Sequence, residues 1–125
     1  MTNATASTAS FIIEEPQASA VARRSFALRL TTSAGEPVAG VEVPIGLEGD
    51  GSFATGFSSK EIKRTTGADG SAGFPWHRRG IYGRNVRGVI SISAPADGQS
   101  VEIIEVEDES SEANWVSYRQ RGRKY

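Results

Sequence analysis

The sequence predicts an all-β sandwich of about seven short strands, and three observations predict it. Apolar and polar side chains alternate with a period of two through most of residues 21–107, the pattern of strands with one face buried. Gly, Pro and Asp interrupt these runs at short intervals, as turns between strands require. No stretch in that zone carries a helical period. The chain is 125 residues long, which sets one domain with roughly two-thirds of its unfolded surface buried.

The elements follow in order. Phe26, Leu28 and Leu30 alternate with Ala27, Arg29 and Thr31, and Gly35-Glu36-Pro37 stops the run. Val41, Val43, Ile45 and Leu47 alternate with Glu42, Pro44, Gly46 and Glu48. Proline has no N–H to donate, so this strand is expected at an edge or with a free side at Pro44. Gly49-Asp50-Gly51 makes a turn, and Phe53 and Phe57 flank a glycine-containing bend. Lys60 to Thr66 reads as a strand with Ile62 inward. Ala68-Asp69-Gly70 is the strongest hairpin signal, because Asp-Gly suits positive φ. Ala72, Phe74 and Trp76 alternate after it. The last two strands are Val89 to Ala94 and Val101 to Val106, joined across Pro95–Gln99.

Outside this zone the composition changes. Residues 1–20 are rich in Ala, Ser and Thr, with Phe11, Ile12 and Ile13 as the apolar anchor, and read as an N-terminal arm. Residues 108–125 read as a charged C-terminal tail, in which Ser111 could cap a short helix over Ser110 to Tyr118. The division is therefore 1–20 arm, 21–107 sandwich and 108–125 tail. The opening MTNATASTAS lacks the basic and apolar regions of a secretory leader, so synthesis in a cytoplasm is expected. No apolar run is long enough for a membrane helix.

Composition excludes several chemistries. There is no cysteine and one histidine, His77, so disulfide frameworks, thiolate zinc sites and multi-histidine metal sites are excluded. Charges nearly balance, with 14 Lys+Arg against 15 Asp+Glu, which argues against a general nucleic-acid binder. A Ser-His-Asp triad would have to use His77, and no Gly-x-Ser-x-Gly elbow is present. Glu14-Glu15 and Glu107-Asp108-Glu109 are sequence neighbours, which a strand sends to opposite faces. Gly49-x-Gly51-x-x-Ala54 lacks the helix that a dinucleotide fingerprint needs. Glu48, Asp50 and Asp69 do not form a calcium loop. The expectation is a non-enzymatic protein with no cofactor and no metal.

Part of this pattern is also a family pattern. Phe26-x-Leu28-x-Leu30-Thr31, followed by Gly35-x-Pro37-Val38-Ala39-Gly40-Val41-x-Val43, resembles the opening of bacterial Ig-like domains of the invasin/intimin type. Thr66-x-x-Asp69-Gly70-x-Ala72 is similar to that family's hairpin, and the run Val89 to Ala94 to its penultimate strand. The resemblance covers about residues 22–107 and implies an Ig-like β-sandwich acting as a spacer or binding module. Transthyretin-like and carboxypeptidase-regulatory-like sandwiches share much of the pattern. A single such domain without an export signal is similar to the Ig-like decoration and accessory proteins of tailed-phage virions. That likeness implies a virion location and, as partner, the major capsid protein or another virion protein, with self-association on a lattice.

Two clusters are candidates for recognition. Trp76, His77, Arg78, Arg79, Tyr82, Arg84 and Arg87 crowd a Gly-rich segment that reads as a ligand loop. Trp115, Tyr118, Arg119, Arg121, Arg123 and Lys124 form a second cluster behind an acidic stretch. Arginine and aromatics are the residue types of protein interface hot spots, and aromatics among arginines also stack on bases. Docking through Phe11, Ile12, Ile13 and the tail cluster is the leading expectation. Phe11–Ile13 would add a strand to a neighbour or fill its groove. A host-surface glycan or protein module using the ligand loop is the alternative, and nucleic-acid binding through the tail a weaker third.

Overall fold

The computed structural model describes residues 6–17, 21–78 and 83–107. Over them run seven strands: β1 Thr8–Glu15, β2 Arg23–Thr32, β3 Glu42–Gly49, β4 Glu61–Thr65, β5 Ser71–His77, β6 Val86–Ser93 and β7 Gln99–Val106. They form a β-sandwich of two antiparallel sheets, ordered β1-β6-β3-β4 and β5-β2-β7.

Alternation decides which side chains meet between the sheets. Phe26, Leu28 and Leu30 of β2 point inward, with Phe74 and Trp76 of β5 and Val101 of β7. Val43, Ile45 and Leu47 of β3 oppose them, with Ile90 and Ile92 of β6. Rings knit the centre. Phe26 stacks on Phe74 at 5.8 Å, and Phe53 meets Phe74 edge-on at 6.0 Å, arrangements that favour the ring quadrupoles.

Two expectations change. First, the 1–20 arm is partly sandwich: Thr8–Glu15 is a strand paired with β6 over its whole length. Ile13 is fully buried and Phe11 packs edge-on against Phe26 at 4.9 Å, so these two serve the chain's own core rather than a partner. Second, Asp69-Gly70 does not close a hairpin of paired strands. Its turn is real, with Gly70 N–H donating to Gly67 O at 2.9 Å and Gly70 at φ 78. However, β4 before it pairs with β3 and β5 after it pairs with β2, so the turn carries the chain between sheets. Pro95–Gln99 does the same between β6 and β7. Among the described strands, only β3 and β4 are both consecutive and paired.

Of the two placements expected for β3, the free side at Pro44 is the one found: β3 is central, flanked by β6 and β4. Pro44 fits because its ladder with β6 begins at Ile45. Leu47 N–H bonds to Lys60 O on the β4 side, and antiparallel strands alternate their bonding side residue by residue. The missing donor of Pro44 therefore faces β6 beyond the last rung.

Across the sheets' centres the second strand pairs with the fifth and the third with the sixth. The outer strands are β1 beside β6, β4 beside β3, and β7 and β5 on either side of β2.

Candidate docking surface at the loop end

The strand directions sort the connections into two ends. Ala6 bonds to Val101 at one end, near the turns at 33–41 and 66–70. At the other end β1, β3, β5 and β7 all finish, so residues 16–17, 21–22, 50–60, 78 and 83–85 gather there, with Glu107.

The 50–60 loop is built on Trp76. The indole is 0% exposed, and its Nε1–H donates to Asp50 O at 3.1 Å. Gly51 passes so close that a Cβ there would lie 2.0 Å from Nε1, and its φ is +97. Only glycine fits such an approach at such an angle. The Asp50 carboxylate accepts two bonds from Arg84, at 3.0 and 2.8 Å, and one from Arg87 N–H at 2.9 Å. The Arg84 bonds above all, then the Arg87 amide, hold its pKa down at about 2. Lys60 Nζ donates to Gly49 O and Gly51 O at 2.6 and 2.7 Å.

Ser52 organises the rest of the loop. Its backbone exchanges bonds with His77 at 2.9 and 2.8 Å. Its buried hydroxyl accepts from Ala54 N–H and Ser59 N–H, at 3.1 and 2.8 Å, and donates to Phe57 O at 3.1 Å. One side chain thus gathers both arms of a tight loop. Phe53 turns into the core, and Phe57 is left 66% exposed at the tip.

A second clamp joins the two sheets at the same end. Arg24 bonds Glu15 of β1 at 2.8 Å and Glu105 of β7 at 2.8 and 2.7 Å, and lies 5.8 Å over the Phe26 ring. The Arg24 bond lowers the Glu105 pKa. Arg87 faces Glu14 at 3.6 Å, and Gln17 N–H donates to Asn85 Oδ1 at 2.8 Å.

These contacts take Trp76 and Arg78 out of the expected ligand loop. Trp76 is a core residue. Arg78 is 2% exposed, with N–H and Nη1 on Ala22 O and Val21 O. Arg84 is engaged by Asp50 and Arg87 by Glu14. His77 lies in β5, half-buried, its pKa lowered by burial and then by Arg23. Arg79 and Tyr82 lie outside the described residues. So do Trp115, Tyr118, Arg119, Arg121, Arg123 and Lys124. Of Phe11–Ile13 only Ile12 is exposed, at 50%.

Phe57 was not among the candidates. Its signal is an aromatic set among Thr55, Gly56, Ser58 and Ser59, where strand alternation has broken down. Ile104 and Val106 of β7 and Val21 add exposed apolar surface. The arrangement presents one aromatic on a braced loop, at the same end of the sandwich as Glu107. No family model, curated protein or solved structure matches the chain.

Proposed function

We propose that this protein is a non-enzymatic structural component of a phage virion, a capsid decoration protein that docks by its loop end. The observation that carries the reading is that one end of the sandwich holds both Phe57, on a loop braced by Ser52, and the point where residues 108–125 leave β7. A braced aromatic costs little entropy on binding, which is how hot-spot anchors work. The tail adds Trp115, Tyr118 and four cationic side chains, Arg119, Arg121, Arg123 and Lys124. The partner is the major capsid protein or another virion protein. Many copies on a lattice make a modest affinity per site sufficient.

The test is attachment of purified variants to particles that lack the protein. Deleting residues 108–125 abolishes attachment, and Phe57→Ser weakens it, while circular dichroism shows the sandwich intact. Undiminished attachment by both variants refutes the reading.

A further inference from the structure

A sandwich of two open sheets has four edges, and an exposed edge is a template for another strand unless something blocks it. Three are blocked. β4 is only five residues long and carries Lys63 and Arg64. β5 contains Pro75, and Arg64 Nε covers Gly73 O at 3.2 Å. β7 is bridged on its outer edge at Val101 by Ala6. The fourth edge, β1, is eight residues long and contains no Lys, Arg or Pro.

The bonding side of each β1 residue follows from its neighbours. Ala94 N–H bonds to Ser7 O at 2.7 Å toward β6, whereas Ala6 bonds Val101 on the opposite side. By alternation Ala9, Phe11, Ile13 and Glu15 bond to β6. Thr8, Ser10, Ile12 and Glu14 direct N–H and C=O outward, and among the described strands β6 is the only one with which β1 forms a ladder. Their side chains lie on the exposed outer face.

We propose that a second copy of this chain pairs on this edge, β1 against β1 antiparallel about a two-fold axis at Phe11. This register sets Thr8 opposite Glu14 of the other copy and Ser10 opposite Ile12. All four outward residues of each strand are then used, so four pairs each exchange two backbone bonds. Shifting by two residues either way loses a pair or requires Ala6, which Val101 already holds. Glu14, the one charge on the outward row, meets a threonine and not its own copy, so no like charges face each other. The two four-stranded sheets become one continuous sheet, an isologous interface of the kind that closes a dimer. The inference rests on strand geometry and is independent of the virion reading.

The experiment is sedimentation equilibrium of the full chain over a concentration series, beside Ile12→Lys, Ser10→Pro and a chain ending at Glu107. Ile12→Lys alters a side chain that is already half exposed, and Ser10→Pro removes only an outward N–H, so neither touches a β6 bond. The wild type and the shortened chain are expected to dimerise, and both edge variants to be monomeric with unchanged circular dichroism. The natural chain lacks cysteine, so Ser10→Cys combined with Ile12→Cys reports the register. Opposed pairs stand about 5.5 Å apart at Cα, within disulfide range, and the double variant oxidises to a covalent dimer. A monomeric wild type, a dimer that survives both edge variants, or a dimer lost with residues 108–125 overturns the proposal. The last outcome would assign association to the tail.

Discussion

Trp76 and Gly51 make the sharpest quantitative prediction. Trp76→Phe removes the indole nitrogen that bonds Asp50 O at 3.1 Å and shrinks a side chain that is 0% exposed. The lost packing, the lost bond and the unsatisfied carbonyl together cost about 3 kcal/mol. Gly51→Ala drives a Cβ to within 2.0 Å of Nε1 and 2.3 Å of Cε2, at a φ of +97. Overpacking and the left-handed backbone together cost about 4 kcal/mol. All three atoms nearest that Cβ belong to the indole. In the Trp76→Phe background only the backbone strain remains, about 1–2 kcal/mol. The double variant is therefore more stable than additivity predicts, by a coupling of about 2 kcal/mol. Urea denaturation followed by far-ultraviolet circular dichroism measures it. At a slope near ~1.5 kcal/mol per molar, Trp76→Phe alone lowers the midpoint by about 2 M. Additive costs, or a Trp76→Phe variant as stable as the wild type, refute the placement of the indole. A surface tryptophan in a ligand loop would give that second result.

Three further outcomes follow from the same end of the sandwich. Asp50→Asn removes a carboxylate whose folded pKa, about 2, is below its ordinary value of 3.8. The stabilisation is complete above about pH 5 and is lost as pH falls from about 4 to about 2, and it amounts to about 1 kcal/mol once the exposure of Arg84 is allowed for. Urea midpoints of wild type and variant should therefore converge as pH falls from about 5 to about 2. Ser52→Ala leaves the Ala54 and Ser59 amides without their acceptor, costs about 2 kcal/mol, and opens the loop to limited proteolysis near Phe57. Phe57→Ser changes the unfolding free energy by less than about 0.5 kcal/mol while weakening particle attachment at least about thirtyfold; a large loss of stability would show that Phe57 is packed.

The period-two alternation of Phe26-Leu28-Leu30 and Val43-Ile45-Leu47 carried the fold class, because burying one face of a strand leaves that trace. β1 was hidden by its composition. Its inward row ends in Glu15, neutralised by Arg24 from another sheet, and its outward row includes Ile12, so hydrophobicity does not alternate. Strand partners were hidden as well. Asp69-Gly70 specifies a tight turn, but the same turn serves a hairpin or a change of sheet, and only the packing of distant strands decides between them. The burial of Trp76 and Arg78 was hidden for a related reason. A tryptophan beside three arginines reads as a surface cluster until Asp50, Glu14 and the Val21 and Ala22 carbonyls are seen to engage it.

The central claim is that this sandwich belongs to a particle. Particles from a lysate of the source, banded on a density gradient and examined by mass spectrometry, test it most directly. The account predicts that the chain bands with a major capsid protein at a fixed stoichiometry that survives high salt. Recovery only at the top of the gradient, as a free small protein, would contradict it.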